Sequence, residues 1–84
     1  MLAGNTISVG GSPVALVDAG SFDGEYVAHV NVTSGSLRLG DSGVTTSDGY
    51  LLSDSDDALV VRVQNESLYA ISGGASVDVL AYGA

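Results

Sequence analysis

Cysteine, lysine and tryptophan are absent from these 84 residues, and histidine, proline, phenylalanine and methionine occur once each. Without cysteine there is no covalent staple, no thiolate nucleophile and no soft metal ligand. The two basic side chains, Arg38 and Arg62, face ten acidic ones, and the net charge is −8. Nucleic acid needs Lys and Arg to neutralise phosphates, so it is not expected as a partner; anionic membrane surfaces are disfavoured for the same reason. No run approaches the roughly 20 apolar residues that span a bilayer. Met1-Leu2-Ala3-Gly4 has neither a basic start nor an apolar run, so no signal peptide is expected. No stretch carries an apolar period of 3.6 residues, which argues against helices. A lone His29 makes neither a metal centre nor, without placed partners, a Ser-His-Asp arrangement.

What is present points to a folded chain. Apolar residues make up 45% and charged residues 14%, the reverse of a disordered composition. The length allows one domain, 1–84, which buries only about 60–65% of the surface its unfolded chain exposes. Such a core is marginal, so added burial in a homo-oligomer or against other subunits is expected. A Lys-free, Cys-free chain rich in Asp, Gly, Ala, Val and Ser resembles proteins of extreme halophiles. In molar salt the Debye length falls to about 3 Å and acidic self-repulsion is screened.

Alternation of period 2 sets the expected elements. Ile7 and Val9 alternate with Thr6 and Ser8; Gly10-Gly11-Ser12-Pro13 is a turn; Val14 to Val17 is a second short strand. Asp18 to Gly24 reads as a loop whose Phe22 plugs one end of the core. From Glu25 to Thr33, Tyr26, Ala28, Val30 and Val32 share one face, and Glu25, His29, Asn31 and Thr33 the other, with Val27 an apolar exception. Ser34-Gly35 reads as a tight connection, and Leu37 and Leu39 repeat the pattern, so a hairpin is expected here. Leu37 to Leu52 then reads as the central bend of the fold: a Gly/Asp/Ser/Thr loop anchored by Val44, with Tyr50, Leu51 and Leu52 returning to the core. After an acidic turn, Leu59, Val61 and Val63 alternate with Val60 and Arg62. Leu68 to Ile71 and Ser76 to Tyr82, with Val77, Val79 and Ala81 on one face, close the chain. The expected fold is all-β: a small single-domain β-sandwich or barrel of seven or eight short antiparallel strands.

Candidate chemistry is sparse. Asp54, Asp56 and Asp57, with Asp48, supply carboxylates that could hold Ca²⁺, but the spacing lacks the sixth-position Gly and distal Glu of an EF-hand loop. A solvated acidic turn, its Asp side chains bonding local N–H groups, accounts for them as well. Asn31-Val32-Thr33 and Asn65-Glu66-Ser67 match the N-glycosylation pattern. Gly10-Gly11-Ser12 is followed by neither Lys nor a helix start, so it is no phosphate loop. No catalytic residue, cofactor or resident metal is expected.

From Ile7 to Leu80 the order of phrases resembles a family of small structural proteins of tailed bacterial and archaeal viruses. The phrases are Ile7-Ser8-Val9-Gly10 with Pro13-Val14, then Leu37-Arg38-Leu39-Gly40-Asp41-Ser42-Gly43-Val44-Thr45-Thr46-Ser47-Asp48-Gly49-Tyr50, and finally Leu68 to Gly73 with Val77 to Leu80. Relatives often carry a basic residue at the head of the central strand; here Glu25-Tyr26 stands there. The resemblance implies a non-enzymatic virion component made in the host cytoplasm. A capsid decoration or minor capsid protein on the major capsid protein is the first reading, and a tail, neck or vertex-spike element the second. Combined with the composition it points to a haloarchaeal virus. A host-glycan binding module is the alternative of a different class, and it requires aromatics gathered on one exposed face. The residues expected at contacts are Val27, Thr45, Thr46, Tyr50, Val60, Tyr69 and Tyr82, because exposed aromatic and apolar side chains concentrate at interface centres.

Overall fold

The computed structural model describes residues 2–18, 20, 22 and 24–83. Eight strands are formed among them: β1 Leu2–Val9, β2 Val14–Val17, β3 Glu25–Ser34, β4 Ser36–Gly40, β5 Tyr50–Ser53, β6 Leu59–Gln64, β7 Leu68–Ile71 and β8 Ala75–Gly83. They form two four-stranded sheets, one ordered β1-β8-β3-β6 and the other β2-β7-β4-β5, with every neighbour antiparallel. The expected all-β sandwich is present, as two open sheets rather than a closed barrel.

The pairing is nested. β1 pairs with β8, β2 with β7, β3 with β6 and β4 with β5, so each strand of the first half meets its mirror counterpart in the second. The β8·β3 and β7·β4 pairs then join these into sheets. Two four-stranded sheets wound from one doubled-over antiparallel ribbon are a jelly roll. The chain changes sheet at every connection except one, between β4 and β5.

The connection at Ser34-Gly35 is therefore not a hairpin, contrary to the local pattern. β3 pairs with β6 and β8, while β4 pairs with β5 and β7. Gly35 is a corner between sheets, at φ 77°. A Cβ there would lie 2.5 Å from the Gly74 carbonyl oxygen, so only glycine lets the β7–β8 turn pass so close. The hairpin is instead β4–β5, with Leu37 opposite Leu52 and Leu39 opposite Tyr50. Leu37 to Leu52 is thus the innermost turn of the doubled ribbon, not a bend between halves. Ser72, a buried polar side chain, donates to the Ser36 carbonyl and accepts from Gly74 N at 3.0 Å.

The core follows the alternation. Tyr26, Ala28 and Val30 of β3 and Val77 of β8 are fully buried, and Val32, Val79 and Ala81 nearly so. From the other sheet Leu37, Leu39, Leu52, Leu68 and Ala70 close against them. The edge residues Leu59, Val61 and Val63 of β6, Ile7 of β1 and Val14 of β2 are only partly covered. This is expected of strands with a neighbour on one side only. Phe22 is buried and its ring stacks on Tyr26 at 5.3 Å between centroids, the plug the sequence suggested. Residues 19, 21 and 23 of its loop lie outside the described residues. No helix among the described residues is long and apolar enough to cross a membrane.

Candidate functional site

Two surfaces are left apolar where alternation and strand order end. The first is the open margin between β5 and β6. Each pairs on one side only, so both present unpaired backbone N–H and C=O groups. Between them runs an apolar groove of about 380 Å³, lined by Leu39, Tyr50, Leu59, Val60, Val61 and Leu68. Tyr50 has the inward parity of Leu52, but on an edge strand with a neighbour on one side only it stays 58% exposed. Leu51 points to the other face and is 55% exposed. Of the three residues expected to return to the core, only Leu52 does.

The second surface is the outer face of the β1-β8-β3-β6 sheet. Register places Leu80, His29 and Val60 in one row and Tyr82, Val27 and Arg62 in the next. Val60 is the most exposed of the apolar residues here, Leu80 and Tyr82 are exposed and Val27 is half-buried. The His29 and Tyr82 rings lie 5.7 Å apart, with Nε2 3.4 Å from the phenol oxygen. Arg62 Nε meets Glu25 Oε2 at 2.9 Å; with Arg62 largely exposed this pair contributes about 0–1 kcal/mol. Val60 joins the row to the groove, so the two surfaces are continuous.

Four of the expected contact residues thus come together: Val27, Val60 and Tyr82 on the face and Tyr50 at the adjoining margin. The others do not. Tyr69 sits half-buried on the other sheet, opposite Ala15 and Gly40. Thr45 and Thr46 are exposed on a loop with an internal order of its own. Thr45 and Asp48 exchange backbone bonds of 3.0 and 3.3 Å, and Asp41 Oδ1 accepts from Gly43 N at 2.8 Å. Val44 is buried as an anchor, under Gly40 and Gly49. Arg38 clamps the loop from the sheet: Nε donates to the Thr46 carbonyl at 2.9 Å and Nη1 to the Gly49 carbonyl at 3.0 Å. Arg38→Ala is expected to lose about 1 kcal/mol, because the bonds are charged but half solvated. Amide exchange should report it, with the Thr45 and Asp48 amides exchanging about fivefold faster or more while β3 amides are unaffected. Leu80 and Leu51 were missed as exposed apolar residues. The signal was there, since each sits between two inward-facing neighbours.

The other candidate chemistry takes local forms. Asp56 Oδ2 accepts from Ser53 N at 2.9 Å and from Ser53 Oγ at 3.2 Å, closing the turn after β5. Among the described residues no three His, Cys, Asp or Glu side chains converge as a metal cluster. Asn31 and Asn65 are both exposed, Asn65 at φ 57° in the turn after β6. Among the described residues an ionisable group in the core is shifted: the Tyr26 phenol is held above its ordinary 10.0 by burial, with the Glu66 charge acting the same way. Its hydroxyl donates to the Glu66 carbonyl at 2.8 Å. No protein-family model, no curated protein and no solved structure matches this chain significantly.

Proposed function

We propose that this chain is a non-enzymatic structural protein of a virion, docking on the shell as a capsid decoration or minor capsid protein of a tailed virus. The observation that carries this reading is the continuous apolar surface from the β5–β6 groove across Val60 to Tyr82, beside two unpaired strand edges. Contiguous exposed apolar area rimmed by polar residues marks a protein contact, and a free edge can add a strand from a partner. The phrase order of the sequence, Leu37 to Tyr50 above all, gives the viral assignment its direction. The acidic, Lys-free surface suits a halophilic host, where salt screens its self-repulsion. Adhesion is the mechanism: copies repeated by the symmetry of the shell bury this margin against the major capsid protein or one another.

The test is incorporation. Tyr50→Ala with Val60→Thr alters two side chains that are more than half exposed, so the isolated protein should keep its fold. Retention on particles after gentle dissociation should fall by about 30-fold, the loss of one interface hot spot of about 2 kcal/mol. Unchanged retention would refute docking through this margin.

A further inference from the structure

The outer face of the β1-β8-β3-β6 sheet holds a second feature, at the β1 side, away from the β5–β6 margin. A depression of about 350 Å³ opens there, lined by Gly4, Asn5, Thr6, Asn31, Asp78 and Leu80, with His29 at its inner end. Gly4 is its cause. Gly4, Leu80 and His29 share a row, and Gly4 contributes no side chain to it. A Cβ at Gly4 would fall 3.7 Å from Leu80 Cδ1, so any larger side chain would begin to fill the space.

The next row is Thr6, Asp78 and Asn31. Thr6 Oγ1 donates to Asp78 Oδ1 at 2.7 Å, which orients the carboxylate. The Asn31 amide has no hydrogen-bond partner among the described residues, whereas Asn5, in register with buried Val79, has the inward parity. On the other side the His29 ring lies beside Leu80, backed by the Tyr82 ring one row beyond the lining.

We infer that this depression binds a neutral saccharide. A pyranose ring has an apolar C–H face that packs on an aromatic or aliphatic surface. Its hydroxyls donate and accept in pairs, which amides and carboxylates match from fixed positions. Leu80 and His29 supply the apolar side here, and Thr6, Asn31 and Asp78 the polar side. Mixed lining of this kind, with few placed polar groups over an apolar floor, distinguishes a ligand site from the uniformly apolar groove at the opposite margin. Charge narrows the class. With the Asp78 carboxylate lining the site, uronic, sialic and phosphorylated sugars meet it at contact range, where salt screens least, and are repelled. The site stands whether or not the opposite margin docks on a shell.

Amide-resolved NMR titration of the whole chain in molar salt tests it. The probes are maltohexaose, mannohexaose and chitohexaose, with oligogalacturonate as the acidic control. At least one neutral probe should give saturable shifts confined to Gly4, Thr6, His29, Asn31, Asp78 and Leu80. Asn31→Ala and His29→Ala should each weaken binding about tenfold, the loss of one good hydrogen bond or stacking contact. Tyr50→Ala should leave it unchanged. No saturable shifts with any neutral probe would overturn the inference, as would shifts centred on the β5–β6 groove or unchanged binding by Asn31→Ala. Equal binding of oligogalacturonate would also overturn it, as would the same shifts arising from protein concentration alone.

Discussion

Tyr26→Ala is expected to lose about 3–5 kcal/mol, the range for truncating a fully buried aromatic residue. A domain of this length has a total stability of about 4–13 kcal/mol, so the loss removes between about a quarter and all of it. Three contacts fail at once. The ring leaves a cavity at the start of β3, Phe22 loses the surface on which it stacks, and the Glu66 carbonyl loses its donor. Tyr26→Phe separates them. It keeps the ring and removes only the hydroxyl, so the expected loss is about 1–2 kcal/mol. Denaturant midpoints for the wild type and the two variants measure both, and equal midpoints for Tyr26→Phe and Tyr26→Ala would rule out ring packing as the larger part. The phenol also gives the fold a limit at high pH. Its pKa is raised on folding, so the folded state holds the proton more tightly. That contribution is whole below the ordinary value of 10.0 and is lost as pH rises through the raised one. Tyr26→Phe should unfold less steeply above pH 10 than the wild type.

Gly35→Ala is the second large effect. At φ 77° an L-residue is strained by about 1–2 kcal/mol. The added Cβ would also stand 2.5 Å from the Gly74 carbonyl oxygen and 3.3 Å from Ala75 Cα, both backbone atoms. Either the β3–β4 corner or the β7–β8 turn must move, and the two are tied together through Ser72. A total loss of about 3 kcal/mol is expected, combining backbone strain with overpacking. Gly73→Ala is the control. Nothing lies within 4 Å of a Cβ there, so it should change the thermal midpoint hardly at all. Equal midpoints for Gly35→Ala and Gly73→Ala would show that the corner relaxes freely.

Gly35 also shows where reading the sequence stops. The alternation of Tyr26, Ala28, Val30 and Val32 with polar neighbours identified β3 and its buried face, because period 2 is a local property. Two alternating runs around Ser34-Gly35 gave a hairpin by the same logic, and that was wrong. A hairpin turn and a corner between sheets share the same local pattern. What separates them is an atom of Gly74, far along the chain. The contact residues divide in the same way. Val60 and Tyr82 were legible as outward positions on alternating strands. Tyr50 has inward parity, and its exposure follows from β5 being a sheet margin, which no local pattern reveals. The meeting of Gly4, Asn31 and Asp78 likewise depends on β8 lying between β1 and β3.

The nested pairing has a consequence for how the chain reaches this state. Closing a flexible loop costs entropy that grows with its length, so pairing β1 with β8 directly would mean closing nearly the whole chain. The β4–β5 hairpin spans only Ser36 to Ser53. Once it is formed, the ends of β3 and β6 are held near each other by short connections, and each completed pair does the same for the next one out. The search for distant partners becomes a succession of short closures, as in a zip started from its middle. In that order of closure the shortest step is at the Asp41–Gly49 loop, which Arg38 holds down in the folded chain.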